Sequence, residues 1–338
     1  MKVGRLGPGG VVVAEVDRPV LSGGDLLVEM HACGLCGSDV EKVKGHYAAT
    51  GKIGHEPAGT VVGVGYGVTG YRVGDRVFVH HHVPCYSCDV CRAGRYTFCP
   101  TYQKTNLDPG GFAEFFRVPP ENVSRGAALV LPDHVSFEEA ALIEPLGCCI
   151  DALAALPFQP GDRVLVLGLG PIGLLYLKLL RVSGAGLLVG ADLSAYRREV
   201  ALREGADRVF DPRTPEGVTE GEFDLVVVAT GAVRAISDGF RWVRRGGTVN
   251  LFGLPEKGSH LETDLQDLYM KGARLVPTYA ATERGTNTAL RLIASGRLPV
   301  RQLVTHRIPL ARIEEGFRQA TATEGTIKVV ITSGAPTA

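Results

Sequence analysis

Ten residues indicate the fold of the second half of the chain: Val164-Leu-Val-Leu-Gly168-Leu-Gly170-Pro171-Ile172-Gly173. An apolar run here leads directly into the spacing G-x-G-x-x-G, and a helical apolar pattern continues to Ser183. This order predicts a strand, a tight turn and a helix, which is typical of a dinucleotide-binding βαβ unit. Gly168 would allow the tight turn, Gly170 would let a pyrophosphate approach the backbone, and Gly173 would let the helix pack closely on the strand.

An acidic residue ends the next predicted strand. Asp192 lies 22 residues after Gly170. A carboxylate at this position accepts hydrogen bonds from an adenosine ribose and repels a 2′-phosphate, so the sequence predicts NAD rather than NADP. NADP stays open as an alternative, because Arg197 and Arg198 follow closely enough to bind a 2′-phosphate.

The chain around this stretch divides into two kinds of pattern. From Lys2 to Val130, short β-branched runs separated by Gly, Pro and Asp predict a β-rich, barrel-like unit. After Pro145, strands alternate with helical stretches, which predicts a parallel sheet in an α/β unit. The predicted strands are 10–16, 26–31, 58–64, 76–80, 111–118, 163–167, 187–192, 224–229, 248–252 and 327–331, and the predicted helices are 170–183, 195–204, 286–294 and 311–320.

Composition excludes several classes of protein. The 338 residues are enough for two domains, and 45% of them are hydrophobic, so intrinsic disorder is excluded. Lys and Arg (36) balance Asp and Glu (36), which argues against a nucleic-acid partner and favours a small molecule. The most hydrophobic stretch, Val164 to Leu180, is interrupted by three glycines, a proline and Lys178, so we expect no membrane span and a cytoplasmic protein.

Four cysteines share a short segment with the spacing Cys85-x2-Cys88-x2-Cys91-x7-Cys99. Clustered thiols in a reducing compartment usually bind a metal rather than form disulfides. The spacing favours one tetrahedral zinc with four protein ligands, which stabilises the lobe 85–99 and does no chemistry itself. An iron–sulfur cluster is the competing interpretation.

A second set of metal-binding residue types is spread over the β-rich region. Cys36-Gly-Ser38-Asp39 follows a predicted strand, His55-Glu56 lies between Gly54 and Pro57, and Glu144 precedes Pro145. Taken singly, each of these residues is better explained by core packing or by a surface charge than by a metal site.

The order of these motifs, together with Gly111 to Glu114 and the glycine fingerprint, closely resembles the zinc-containing medium-chain alcohol dehydrogenase family over essentially the whole chain. The nearer branch has a glutamate ligand and includes sorbitol, other polyol and threonine dehydrogenases. The resemblance implies a GroES-like catalytic domain over 1–146 and 277–338, interrupted by a Rossmann domain over 147–276.

The resemblance also implies a catalytic zinc, with one position left for water or a substrate oxygen. Its ligands would be Cys36, His55 and either Glu56 or Glu144, a choice that the sequence leaves open. Ser38 would pass on the alcohol proton, and the Asp39 carboxylate would orient the ligand histidine. Zinc bound in this way lowers the pKa of an alcohol.

On the cofactor side, the resemblance implies contacts from residues beyond the fingerprint and its Pro171 and Ile172. Arg197 would contact the adenosine ribose and Lys328 the pyrophosphate. The nicotinamide side would be lined by Thr230, Phe252 and Leu254. Dimers or tetramers are common in the family, with Thr248–Phe252 and Tyr269–Tyr279 as the expected interface.

The chain departs from the family at one position. Many relatives have a histidine five residues after the first zinc cysteine, where this chain has Glu41. Glu41 could move protons or bind a substrate group, or it could be an ordinary surface carboxylate. His46 is another candidate for the missing histidine. The run His80 to His82 is expected not to bind one ion, because successive residues of a strand point to alternate faces.

The leading hypothesis is therefore an NAD-dependent oxidation of a secondary alcohol or polyol to its ketone. One alternative is an NADPH-dependent aldehyde or ketone reductase of the same family. The other is a non-catalytic regulatory protein that binds zinc and a nucleotide, for which Cys36, His55 and Glu144 would be unnecessary. A zinc-free quinone reductase is disfavoured for the same reason.

Overall fold

A computed structural model describes residues 1–7, 9–45 and 51–334, so His46 lies outside the described residues. The chain forms two compact units. Unit one contains Met1–Gly147, Ala281–Ala322 and the residues from Thr326 onward, and unit two contains Cys148–Ala280 and Thr323–Gly325. In the described ranges, no helix combines the length and apolar character that crossing a membrane requires.

Strands and helices are numbered along the chain. The strands are β1 Lys2–Gly7, β2 Gly10–Glu15, β3 Leu26–Gly34, β4 Glu56–Val64, β5 Arg76–Val79, β6 Phe115–Val118, β7 Ala128–Val130, β8 Arg163–Leu167, β9 Leu187–Ala191, β10 Arg208–Phe210, β11 Phe223–Val228, β12 Val243–Leu251, β13 Arg274–Pro277, β14 Val304–Pro309 and β15 Lys328–Thr332. The helices are α1 Gly37–Val43, α2 Asp89–Arg92, α3 Pro100–Lys104, α4 Pro120–Ser124, α5 Phe137–Ala140, α6 Ile143–Ala154, α7 Pro171–Val182, α8 Ala195–Arg203, α9 Val233–Trp242, α10 Leu265–Lys271, α11 Glu283–Ala294 and α12 Ile313–Ala320.

Unit one is built on a mostly antiparallel sheet in the order β14-β15-β3-β4-β5-β7, with β6 paired to β3 and a separate hairpin of β1 and β2. Its core is apolar and tightly closed, since Met30, Phe78 and Phe116 are all 0% exposed. The alternation of β-branched runs with Gly and Pro thus produces the β-rich unit that the sequence predicts.

Unit two is a parallel sheet in the order β10-β9-β8-β11-β12-β13. Counted from β8, this is the strand order 3-2-1-4-5-6 of a doubly wound dinucleotide-binding sheet. The direction of winding reverses between β8 and β11, and the carboxyl end of β8 leads into α7. The α/β fold expected from the glycine fingerprint is confirmed.

Two strands begin four or five residues away from their predicted first residues. The strand predicted over 111–118 is wrong in its first half, because Gly111 to Glu114 forms single backbone bonds to different segments, such as Gly111 N–H to Gly54 O at 2.8 Å. Conversely, β12 begins at Val243 rather than Thr248. The pairing of β12 with β11 changes register after Phe223, so residues 244–247 form a bulge. The sequence of this bulge has no regular hydrophobic alternation, so it does not predict a strand.

A buried polar side chain links three elements of unit two. Asn250, in β12, is 0% exposed. Its amide donates to the Val276 carbonyl and the Thr278 hydroxyl, each at 3.0 Å, and its Oδ1 accepts the Tyr176 hydroxyl at 3.1 Å. Tyr176 belongs to α7 and is also fully buried. Because every bond of this group is made away from water, losing one partner leaves the others unsatisfied.

We therefore expect Asn250→Ala to lower the free energy of unfolding by about 2 kcal/mol or more, since each buried polar group without a partner costs about 1–3 kcal/mol. Tyr176→Phe should cost less, because the ring remains packed. The double variant should cost less than the sum of the two, as measured by urea unfolding. Strictly additive losses would show that this hydrogen bond contributes nothing.

Candidate metal and nucleotide sites

The four cysteines of the lobe lie together in unit one. Their sulfurs are grouped within 4.8 Å, with Cys85 Sγ at 3.9 Å from Cys91 Sγ and 3.6 Å from Cys99 Sγ, and Cys88 Sγ at 3.8 Å from Cys99 Sγ. A tetrahedral zinc with bonds of about 2.3 Å requires sulfur separations of about 3.8 Å. The thiol positions therefore fit a single tetrahedral zinc.

Backbone amides of the lobe lower the pKa of the Cys85 and Cys99 thiols, whereas burial raises the pKa of the Cys91 thiol to about 12. The amides of Ser87 and Cys88 donate to Cys85 Sγ, and the amide of Cys85 donates to Cys99 Sγ at 3.3 Å. Hydrogen bonds from Ser87 and Cys88 lower the pKa of the Cys85 thiol to about 5. Thiolate is the form that binds zinc, so the local backbone is already suited to the ion.

A second group joins Cys36, His55 and Glu56, whose ligand atoms lie within 4.8 Å of one another. Cys36 follows β3 and precedes α1, and Glu56 is the first residue of β4. The antiparallel register pairs Gly34 with Glu56, so the two strand ends bring the thiol and the imidazole together. The sequence predicts these residues as separate candidates, and the pairing of β3 with β4 brings them close together.

Asp39 holds His55 in a defined orientation. Its Oδ1 lies 3.4 Å from His55 Nδ1 and accepts the Gly54 amide at 3.3 Å, and Asp39 is fully buried. Burial alone would lower the pKa of His55, but the Asp39 carboxylate and the Cys36 thiolate outweigh it and raise that pKa well above its usual range. With Nδ1 facing Asp39, the opposite ring nitrogen is the one left to bind a metal.

Glu56 forms a buried ion pair that the sequence did not predict. Its Oε2 contacts Lys328 Nζ at 2.5 Å, with the side chains 0% and 2% exposed. Burial raises the pKa of Glu56, and the Lys328 ammonium offsets this in part. Oε1 is buried without a hydrogen-bond partner among the described residues, which leaves one oxygen for a metal. Lys328, expected near the pyrophosphate, is engaged here, and its cofactor contact stays a prediction.

Gly34 makes this ion pair possible. A Cβ at this position would lie 1.8 Å from Glu56 Oε2 and 3.0 Å from Lys328 Cε. No residue with a side chain can therefore stand there without displacing the pair. A glycine at the end of a largely buried strand is the one signal by which the sequence could have revealed this approach.

Glu144 lies in a different group, with His80 and His81, whose ligand atoms are also within 4.8 Å of one another. The expectation that all three histidines of this run cannot reach one ion stays a prediction, since only His80 and His81 belong to this group. It assumed a strand through residue 80, but β5 ends at Val79, so the strict alternation of side chains no longer applies.

The expected proton-handling residues lie on α1. Ser38 is half-buried and follows Cys36 by two residues. Glu41 pairs with Lys44 Nζ at 2.8 Å on the same helix, with 35% of its side chain exposed. The structure thus places Glu41 in a local ion pair, while a catalytic role for it stays a prediction.

The glycine fingerprint has the geometry that each position requires. Gly168 has φ +92°, a conformation that favours glycine. A Cβ at Gly173 would lie 1.9 Å from the Gly168 carbonyl oxygen, so α7 packs directly on the turn. A Cβ at Gly170 would meet only Arg197 Nη1, at 3.8 Å, so the backbone there is open. Pro171 and Ile172 begin α7, whose first amides face this opening.

Asp192 is fixed beside this turn. Its Oδ2 accepts the Leu169 amide at 2.7 Å, and its Oδ1 accepts the Ser194 amide at 2.8 Å. Arg197 Nη1 lies 4.0 Å from Asp192 Oδ2, and its buried Nε has no partner among the described residues. Arg198 instead donates to the Asp192 carbonyl at 2.7 Å, so it is already engaged by the backbone.

The residues expected on the nicotinamide side follow β11 and β12. The loops that contain Thr230 and Leu254 approach each other closely, and a glycine in each loop makes this possible. A Cβ at Gly231 would lie 2.3 Å from the Leu254 carbonyl oxygen, and one at Gly253 would lie 2.2 Å from the Thr230 carbonyl carbon. Phe252 packs edge-on against Tyr176, with ring centroids 5.3 Å apart. Sequence reasoning missed these two glycines, although each directly follows or precedes a predicted site residue.

Two family models match the chain. The one described as "Alcohol dehydrogenase GroES-like domain" matches residues 22–130, and the one described as "Zinc-binding dehydrogenase" matches residues 171–295. The first match covers Cys36, His55, Glu56 and the cysteine lobe. The second begins at the first residue of α7.

Relatives match over nearly the whole length. The L-threonine 3-dehydrogenase of Pyrococcus abyssi is 35% identical over 328 residues, covering 91% of each protein. The sorbitol dehydrogenase of Gallus gallus is 34% identical and covers 93% of this chain and 92% of its own. Among solved structures, a zinc-binding dehydrogenase from Sinorhizobium meliloti 1021 bound to NADP has a TM-score of 0.88, with 28% identity and 98% coverage of both chains.

Proposed function

The chain belongs to the zinc-binding, GroES-like alcohol dehydrogenase family, and we propose that it oxidises a secondary alcohol or polyol to the ketone with NAD as hydride acceptor. The observation that carries this proposal is the group of Cys36, His55 and Glu56, with Asp39 behind the imidazole. One thiolate, one imidazole and one carboxylate suit a catalytic zinc with an open position. The sorbitol and threonine dehydrogenase relatives support a hydroxylated small molecule as substrate.

We propose two zinc sites with different roles. The four cysteines would hold a zinc with no free position, whereas Cys36, His55 and Glu56 would hold the catalytic one. Glu56 is favoured over Glu144 because its carboxylate lies in the same group as Cys36 and His55. Zinc bound there would supply Lewis acidity, which lowers the pKa of a substrate alcohol and favours the alkoxide.

The surrounding residues would prepare the site for this chemistry. Asp39 faces one ring nitrogen of His55, so the other would be available to the metal, and Lys328 holds one oxygen of Glu56 so that its second oxygen stays available. The Ser38 hydroxyl, two residues from Cys36, would accept the alcohol proton and pass it outward. Release of that proton allows the carbinol hydrogen to leave as hydride to the nicotinamide.

We propose that the nucleotide binds at the Gly168–Gly173 turn of unit two. The pyrophosphate would lie over Gly170 at the start of α7, where the backbone is open. The Asp192 carboxylate would accept the ribose hydroxyls, and Arg197 would contact the same ribose. NAD is favoured because Asp192 is held toward the turn by two amides, and Arg198 is already bonded to a carbonyl.

The two zinc roles can be separated by matched substitutions. We expect Cys36→Ser to lower kcat/KM by roughly 1,000-fold or more, since a catalytic metal supplies several kcal/mol of transition-state stabilisation. Its melting temperature should stay close to wild type. Cys88→Ser should instead lower the melting temperature first, because a closed zinc site contributes to folding. Activity on polyols, thermal unfolding and zinc per chain are the measurements.

Equal stability losses in Cys36→Ser and Cys88→Ser would contradict this division. No NADH from any polyol or secondary alcohol, with zinc content unchanged in Cys36→Ser, would favour the non-catalytic alternative. Turnover with NADPH and aldehydes alone would favour the reductase.

The cofactor preference has its own test. Asp192→Ala removes the charge that would repel a 2′-phosphate, so we expect the ratio of kcat/KM for NADP over NAD to rise by about tenfold or more, where tenfold corresponds to about 1.4 kcal/mol. Asp238→Ala, which removes a carboxylate on α9, is the matched control and should leave the ratio unchanged. A wild type that already prefers NADP would overturn the assignment of Asp192.

We further propose a homodimer or homotetramer that associates through the outer strand of unit two. β13 is at the edge of the sheet, and an apolar surface surrounds it. Its exposed members are Leu265, Tyr269, Met270, Leu275 and Tyr279, with exposed fractions of 73%, 84%, 60%, 40% and 49%. In such an assembly the open edge of β13 would pair with a strand of a second copy, and the exposed apolar side chains around it would be buried.

Leu275→Glu should shift the protein toward the monomer in sedimentation velocity, because a buried unpaired carboxylate strongly opposes association. Val20→Glu, at another exposed aliphatic residue, is the control and should leave the oligomer intact. An unchanged oligomer in Leu275→Glu, or a monomeric wild type, would rule out this interface.

A further inference from the structure

A short segment from near the end of the chain belongs to unit two. Thr323–Gly325 lies in sequence between α12 and β15, which are elements of unit one. Its contact in unit two is Ser194, the residue directly before α8. The Ser194 hydroxyl donates to Glu324 Oε1 at 2.9 Å and lies 3.4 Å from the Thr323 carbonyl oxygen. A carboxylate that is distant in sequence is therefore fixed at the start of α8.

Ser194 connects this carboxylate to Asp192. The Ser194 amide donates to Asp192 Oδ1 at 2.8 Å, and Ser194 Oγ accepts the Arg197 amide at 3.3 Å, which caps α8. Ser194 is 7% exposed, whereas Glu324 is exposed. A hydroxyl has only one proton to donate, and here a carboxylate accepts it, which makes a strong hydrogen bond. The Ser194 hydroxyl is thus engaged both as donor and as acceptor.

A 2′-phosphate on the adenosine ribose would reach the same residues. In the proposed function Asp192 accepts the ribose hydroxyls, so the phosphate of NADP would extend to the residues that follow Asp192. Hydroxyl and guanidinium groups there are the donors that a phosphate would use. The Ser194 proton is directed at Glu324, and Arg198 Nη1 donates to the Asp192 and Leu193 carbonyls at 2.7 and 3.0 Å. Both donors are therefore already bonded to other groups.

Glu324 also adds a second negative charge beside that of Asp192. Arg197 offsets the charge of Asp192 in part, since its Nη1 lies 4.0 Å from Asp192 Oδ2. The hydrogen bond from Ser194 to Glu324 comes from a neutral hydroxyl, so it leaves the negative charge of that carboxylate in place. A phosphate monoester carries up to about two negative charges at neutral pH, so Glu324 would repel it. Because Glu324 is exposed, salt should weaken this repulsion.

We propose that Glu324 is a second residue that selects NAD over NADP, because it binds the Ser194 hydroxyl and places a negative charge beside the position of a 2′-phosphate. This role rests on the proposed function, since it requires the nucleotide to bind at the Gly168–Gly173 turn. It concerns only the adenosine end of the cofactor, so it is independent of the alcohol and of the metal. Two carboxylates from distant parts of the sequence would then reject the same phosphate.

The test is the binding of NAD and of NADP to the full-length protein without an alcohol, measured by isothermal titration calorimetry. Glu324→Gln keeps the size of the side chain and can still accept the Ser194 hydrogen, but it removes the charge. We expect the affinity for NADP relative to NAD to rise by about 3–10-fold at low salt. At about 1 M NaCl, where the Debye length is about 3 Å, most of this gain should disappear.

Glu220→Gln is the matched control. Glu220 is an exposed glutamate of unit two that precedes β11, so it lies at the amino ends of the parallel strands. The Gly168–Gly173 turn is at their carboxyl ends. We therefore expect the affinity for NADP relative to NAD to stay at the wild-type value in Glu220→Gln.

A second pair of variants separates the charge of Glu324 from its hydrogen bond. Glu324→Ala removes the charge and also frees the Ser194 proton for a phosphate, so its gain in relative affinity for NADP should exceed that of Glu324→Gln. Adding Ser194→Gly removes the hydroxyl but keeps a residue that is tolerated at a helix N-cap. The double variant should return to the gain of Glu324→Gln. A role limited to stabilising the fold would not produce this order.

The same relative affinity for NADP in wild type, Glu324→Gln and Glu324→Ala would overturn the role of Glu324, and tight binding of NAD would at the same time leave the proposed function standing. A gain that is equally large at high salt would also overturn it, because repulsion by an exposed charge is screened. A wild type that binds neither nucleotide would contradict the proposed function itself, and the role of Glu324 with it.

Discussion

The register between β3 and β4 is the constraint on which the metal-binding part of unit one depends. Gly34 lies opposite Glu56, so Cys36 just beyond one strand meets His55 just before the other. A shift of one residue would turn every side chain of the strand to the opposite face. The ion pair of Glu56 with Lys328 is buried at the same point, and removing one partner from such a pair costs about 3–5 kcal/mol. Burial of this ion pair beside the candidate site therefore also stabilises the register between β3 and β4.

In unit two, the close approaches between elements depend on glycines, which have no side chain, rather than on an ion pair. Gly173 allows α7 to lie on the Gly168 turn, and Gly231 and Gly253 allow two loops to touch. Each contact is closer than a Cβ could tolerate, so these positions set how near the loops after β8, β11 and β12 come to one another. Asp192 then completes the turn, because its two carboxylate oxygens accept amides on either side.

Much of this could be predicted from the sequence. The glycine fingerprint, Asp192 and the strand–helix alternation encode unit two through local rules, and the cysteine spacing is a local signal too. Features that depend on long-range pairing were not predictable in this way. Lys328 is far from Glu56 in sequence, and no pattern around either residue indicates that they form a pair. The grouping of His80 and His81 with Glu144 was missed because it depends on where β5 ends, which a repeating strand pattern does not show.

The pairing of β15 with β3 has a consequence for the order in which a ribosome makes the protein. Unit two consists almost wholly of the continuous segment Cys148–Ala280, so nearly all of it has been synthesised before Lys328 is added. Unit one must wait, since β15 contributes Lys328 and forms part of its sheet beside Cys33. Until then Glu56 has no ammonium partner, and the edge of β3 that β15 covers stays open to other chains. The nucleotide-binding half can thus mature on the ribosome, while the metal-binding half is completed only after β15 has been synthesised.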